Sequence, residues 1–155
     1  MKVNWKKLII CLAIPLGAGG LAALLSGGMD TYKALNQPPL SPPGWIFPIV
    51  WSILYLLMGY ASYRVLTADA PSADIKKALV FYGIQLFLNF LWPIVFFGFH
   101  WYWAAFVLLI LLWVFIYLTM HLFGLIDDTA ENLLIPYLLW VTFAGYLNLG
   151  VALLN

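Results

Sequence analysis

Residues able to do acid, base, metal or nucleophilic chemistry are few in this 155-residue chain: two histidines, one cysteine and six carboxylates. His100 and His121 stand at either end of one apolar run, roughly 31 Å apart along a helix, too far to share a metal ion. Cys11 has no second cysteine to pair with, which rules out an internal disulfide and a cysteine-based metal site. Asp30, Asp69, Asp74, Asp127, Asp128 and Glu131 fall in connections or within a turn of a helix end, so no buried carboxylate pair serves general acid and base work. There is no Gly-rich phosphate loop beside a strand and no nucleophile with an evident base. No metal or permanently bound cofactor is expected.

The chain is rich instead in aromatic rings, with eight Trp, nine Tyr and eleven Phe. Trp5, Trp45, Trp101, Tyr102 and Trp103 fall near expected helix ends, where aromatic side chains anchor a protein at the membrane surface. Trp51, Trp92, Trp113 and Trp140 lie deeper. Trp51 and Tyr55 are four residues apart; Trp140, Ala144 and Leu147 share one helical face, as do Asn89 and Trp92. Asn89 and Asn148 are amides in hydrocarbon, so each must point into a bundle and find a partner. A cavity of aromatic rings with a few amide and hydroxyl groups suits a broad, flat, lipophilic ligand, through stacking and area burial.

The elements that position these residues follow from composition. Hydrophobic residues make up 65% of the chain and charged residues 8%, against roughly 25% charged in soluble domains, so the apolar surplus must face lipid. Five apolar segments, about 7–29, 44–66, 76–97, 101–122 and 130–153, each approach the roughly 20 residues that cross a bilayer. Lipid demands that backbone polar groups pair internally, so the expectation is an all-α membrane protein, a five-transmembrane-helix bundle forming one domain over 1–155. The basic start of the chain followed by a long apolar run reads as an uncleaved first helix. The net charge of +1 carries no nucleic-acid footprint. Lys2, Lys6, Lys7, Arg64, Lys76 and Lys77 fall on one side of the bilayer and Lys33 alone on the other, which places the N-terminus in the cytoplasm.

Local signals add detail. Ser41 with Pro42 reads as the cap of the second helix, and Asp128 with Glu131 as a capping box for the fifth. Pro15, Pro48, Pro93 and Pro136 interrupt four spans and are expected to kink them. Gly19, Ala23 and Gly27 form a stripe of small residues suited to close helix approach. The short Gly98–His100 connection makes helices three and four antiparallel neighbours. The longest connection, 30–43, is stiffened by Pro38, Pro39, Pro42 and Pro43 and is a candidate lid.

Several motifs in register resemble one known family. The run Pro42-Pro43-Gly44-Trp45 with Pro48, Trp51, Tyr55 and Met58-Gly59-Tyr60 resembles the second helix of the translocator protein or tryptophan-rich sensory protein family, also called peripheral benzodiazepine receptors. Asn89, Trp92-Pro93 and Phe96-Phe97-Gly98 resemble its third helix, and Pro136-Tyr137, Trp140 and Leu147-Asn148 its fifth. The similarity covers nearly the whole chain; the first and fourth helices match mainly in hydrophobicity.

The resemblance implies a five-helix bundle, often a homodimer, that binds porphyrins and isoquinoline carboxamide or benzodiazepine ligands in a pocket under the first connection. It implies Trp51 and Trp140 as pocket tryptophans, with Tyr32, Ile49, Asn89, Phe90, Ala144 and Leu147 as further lining, and Trp103 and Ile110 at matching positions. It also implies light- and oxygen-dependent degradation of bound porphyrin, in which Trp51 and Trp140 would be the catalytic residues; transport of porphyrin or another lipophile is the alternative. Tyr146 is followed by no Lys or Arg, so the family's sterol-associated pattern is incomplete and cholesterol is not an expected partner.

Overall fold

The computed structural model describes residues 2–27 and 30–155. Five long apolar helical stretches span Trp5–Leu25, Ile46–Leu66, Ser72–Gly98, Tyr102–Gly124 and Asp128–Leu154. Between 17% and 39% of the residues in each apolar window are buried within the protein, so most of every helix surface faces outward. Outward surfaces of this composition have hydrocarbon as their solvent: the protein is a multi-pass integral membrane protein.

Helix α1 (Trp5–Leu25) is capped by Asn4, whose side chain accepts from the Lys7 amide at 3.2 Å. It ends sooner than the expected 29; Gly28 and Met29 lie outside the described residues. A short helix α2 (Asp30–Ala34) opens the long connection and is followed by α3 (Ile46–Leu66). Ser41 does not cap α3. Its hydroxyl donates to the Pro38 carbonyl at 2.7 Å, and α3 starts after Trp45 with no side-chain cap.

Helix α4 (Ser72–Pro93) runs into a π-helical turn, Ile94–Gly98, before α5 (Tyr102–Gly124). Helix α6 (Asp128–Leu133) and α7 (Ile135–Leu154) complete the chain. Asp127, not Asp128, is the N-cap of α6, accepting from the Thr129 amide; its N3 residue is Ala130, so the expected capping box of Asp128 with Glu131 does not form. The prolines also behave differently from the expectation. Pro48 and Pro136 sit in the first turns of α3 and α7, where a missing N–H breaks no helical bond. Pro15 lies inside α1, and Pro93 marks the change from α to π geometry.

Helix α1 packs on α3 and α4, α5 lies between α4 and α7, and α6 bridges α5 to α3. The closest backbone approach is at Gly59 of α3, where an added Cβ would stand 2.7 Å from the Cys11 carbonyl oxygen and 3.0 Å from Leu12 Cα. The anticipated small-residue stripe on α1 divides instead. Gly19 makes room for the Tyr55 ring, Ala23 borders a cavity, and Gly27 lies beyond the helix end at φ 83°. Helices α1 and α3 are thus tight at one end of the bundle and part at the other. Their tight end is tied by the Asn4 amide donating to the Tyr63 hydroxyl at 2.9 Å. There too Arg64 bonds Asp127 through both Nε and an Nη, and its guanidinium lies 5.9 Å from the centre of the Tyr60 ring.

Candidate functional site

Where the helices part, they enclose a cavity of about 330 Å³. Helix α3 contributes Phe47, Trp51 and Tyr55, three rings at spacings of four on one stripe. Helix α7 contributes Trp140, Ala144, Leu147, Asn148 and Val151 from its own inward stripe. The wall from α1 is made of small residues, Gly19, Gly20 and Ala23, with Leu16 and Ser26. Asn89 and Trp92 come from α4, Phe96 and Phe97 from the π turn, and Tyr32 and Ser41 from the connection above.

Ring packing holds these walls. Trp51 lies 5.6 Å from Tyr55 and meets Tyr137 edge to face at 6.2 Å, while Trp140 is braced edge to face by Phe47 at 5.9 Å. Trp92 stacks on Phe96 at 5.1 Å. Tyr32 is 4% exposed, meets Phe47 edge to face at 5.2 Å and donates to the Pro42 carbonyl at 3.3 Å, so the connection closes over the cavity. Burial raises the Tyr32 phenol above its ordinary pKa, against a smaller opposing effect of the Ser41 hydroxyl, and it stays neutral.

Asn89 and Asn148 both find partners, as lipid requires. The Tyr55 hydroxyl donates to Asn89 Oδ1 at 2.9 Å, Asn89 Nδ2 donates to the Tyr137 hydroxyl at 2.7 Å, and that hydroxyl donates to Gln85 Oε1 at 2.7 Å. Asn148 accepts from Trp92 Nε1 at 2.9 Å and donates to the Tyr102 carbonyl at 2.9 Å. The Trp140 indole N–H is buried without a hydrogen-bond partner among the described residues.

The structure brings Tyr32, Trp51, Asn89, Trp140, Ala144 and Leu147 together around this one space. Four other expected residues lie elsewhere. Ile49 and Trp103 are more than half exposed on outer faces, Phe90 is partly buried away from the cavity, and Ile110 borders a shallow groove between α5 and α7 beside Trp113. Phe47 was not singled out from the sequence, although it stands four residues before Trp51 on the stripe that Tyr55 continues. Ser41 and Val151 had no comparable signal. Among the described residues no group of three or more His, Cys, Asp or Glu could hold a metal ion.

Comparison with known proteins agrees with this architecture. The sequence profile of the TspO/MBR family matches residues 9–154. The chain is 40% identical to the tryptophan-rich protein TspO of Chlorobaculum tepidum over 94% of its own length and 91% of that protein's. It is 36% identical to the tryptophan-rich sensory protein of Cereibacter sphaeroides, covering 100% of this chain and 95% of the other. A translocator protein of Ovis aries is 36% identical over 86% of this chain and 80% of its own. With the motifs of three helices in register and the match running nearly end to end, this chain belongs to the TspO/MBR family.

Proposed function

We propose that this protein binds a flat, lipophilic tetrapyrrole of the porphyrin class in the cavity beneath the 30–43 connection. The observation that carries the reading is that indoles from two separate helices, Trp51 and Trp140, border one cavity whose other walls are mainly aromatic or small. Stacking and edge-to-face contacts give such walls affinity for a planar guest. At about 330 Å³ the cavity lies at the small end of the usual range for ligand sites, so a macrocycle would fill it and press against the Tyr32 segment. On the distribution of Lys and Arg, the N-terminus lies in the cytoplasm and the cavity in the opposite half of the bilayer.

Titration of purified protein with protoporphyrin IX, read from the porphyrin absorbance, tests the assignment. Trp51→Leu and Trp140→Leu each remove an aromatic wall worth about 1.5–3 kcal/mol, so each should weaken binding by about 10–100-fold. Trp103→Phe and Ile110→Ala, outside the cavity, should leave the affinity within about twofold. A Trp51→Leu/Trp140→Leu double variant that binds as the wild type does would refute the proposal.

A further inference from the structure

Residues 36–39 lie against the last turns of α7 at three points. The Tyr146 hydroxyl donates to the Pro39 carbonyl at 2.6 Å. One turn further on, Gly150 leaves the room that the buried Pro38 ring occupies; a Cβ there would stand 2.5 Å from Pro38 Cβ and Cγ. At the helix end, Asn155 bonds the Asn36 main chain as a neighbouring strand would. Its Oδ1 accepts from the Asn36 N–H at 3.2 Å and its Nδ2 donates to the Asn36 carbonyl at 2.9 Å. The Asn36 side chain in turn donates to the Leu154 carbonyl at 3.3 Å.

These contacts fall at positions 146, 150 and 154–155, close to steps of four, so they form one stripe of α7. The partners run in reverse order, Pro39, Pro38 and Asn36, so the segment lies antiparallel to the helix. Its other side-chain bonds are local: Gln37 Nε2 donates to the Tyr32 carbonyl, Ser41 to the Pro38 carbonyl and Tyr32 to the Pro42 carbonyl. They shape the segment without attaching it to the bundle. Leu40, directly beyond Pro39, is held at φ 70° with 84% of its surface exposed. A leucine rarely keeps that left-handed conformation, and here it lies in the turn closed by the Ser41 hydroxyl on the Pro38 carbonyl.

We propose that Tyr146 and Asn155, with Gly150 as the seat between them, latch the 30–43 connection, whose Tyr32 and Ser41 border the cavity, and so set how fast an occupant leaves. The part concerning an occupant rests on the binding reading above. The latch itself is tested without a ligand, by amide hydrogen exchange of the full chain in micelles. Exchange at Asn36, whose N–H is bonded to Asn155, should be about 3–10-fold faster in Tyr146→Phe and Asn155→Ala, and in Gly150→Ala, which unseats Pro38. Asn155→Asp keeps the acceptor and loses the donor, so it should fall between wild type and Asn155→Ala. Unchanged exchange over residues 35–41 in all three disruptive variants would overturn the latch. Protoporphyrin IX dissociation should accelerate by a similar factor. Faster exchange with no measurable porphyrin binding to wild type would sink the ligand assignment and leave the latch standing, whereas faster exchange with unchanged dissociation would overturn its control of release.

Discussion

Replacing Asn89 by leucine probes the floor of the cavity. Asn89 is 3% exposed, accepts from Tyr55 at 2.9 Å and donates to Tyr137 at 2.7 Å. Leucine has similar bulk but leaves the Tyr55 hydroxyl with no acceptor, whereas Tyr137 keeps its bond to Gln85. An orphaned buried polar group costs about 1–3 kcal/mol in water-soluble proteins. Within membranes, pairwise hydrogen-bond energies average about 0.6 and reach about 1.7 kcal/mol, because the unfolded chain also finds partners in the bilayer. With two bonds removed and one hydroxyl stranded, the expected loss is about 1–3 kcal/mol, a fall of about 3–10 °C in unfolding midpoint. Cys11 is the sole cysteine and is buried, so a thiol-reactive fluorophore that labels it on heating gives the assay. The decisive measurement is the double variant. Tyr55→Phe in the Asn89→Leu background removes the stranded hydroxyl, so the combined loss should be smaller than the sum of the single losses by about 0.6–1.7 kcal/mol. Strict additivity would refute the inference that these two side chains depend on each other.

Two further outcomes follow from contacts at the far end of the bundle. Gly59→Ala forces a methyl onto the α1 backbone at Cys11 and Leu12, and overpacking of that kind should lower stability by about 1–3 kcal/mol in the same thiol assay. The Arg64 guanidinium bonded to Asp127 holds that carboxyl below its ordinary value of 3.8, with smaller help from the Thr129 and Ala130 amides. A carboxyl whose pKa is lower folded than unfolded stabilises the protein fully above the unfolded value and loses that contribution as pH falls through the folded one. Asp127→Asn should therefore lower stability at neutral pH, by no more than about 1 kcal/mol for so accessible a pair, and the gap from wild type should close as the pH drops below 3.8. A gap that persisted in acid would assign the effect to packing.

How far the sequence could be read depended on what each residue's solvent demands. Five apolar runs of bilayer length leave little choice but helices, and an amide in hydrocarbon must turn inward, so the bundle and the partnered state of Asn89 and Asn148 were both readable. Which groups those amides meet was not, because periodicity identifies a face and not what lies opposite. Gln85 and Tyr137 entered the Asn89 network only once α4 and α7 were placed. For the same reason the stripe at Gly19, Ala23 and Gly27 does not reveal that only Gly19 of the three seats a neighbouring side chain, or that the close backbone approach to α1 is made by Gly59 on another helix. Proline marks a helix start and a helix kink with the same letter. Pro48 and Pro136 proved to be starts, and only the boundary, the feature sequence fixes least well, separates the two meanings. The contacts of Asn36, Pro38 and Pro39 with α7 join residues more than a hundred positions apart, and no local pattern announces them.

No Asp, Glu, Lys, Arg or His borders the cavity among the described residues. A full charge carried across a bilayer feels about 2.3 kcal/mol for every 100 mV of membrane potential, whereas neutral rings, amides and hydroxyls feel almost none of it. An energised membrane therefore has no handle on these walls. Any voltage dependence of occupancy must come from the guest, so a neutral porphyrin ester and the corresponding dicarboxylate should respond differently to polarisation of the same vesicle.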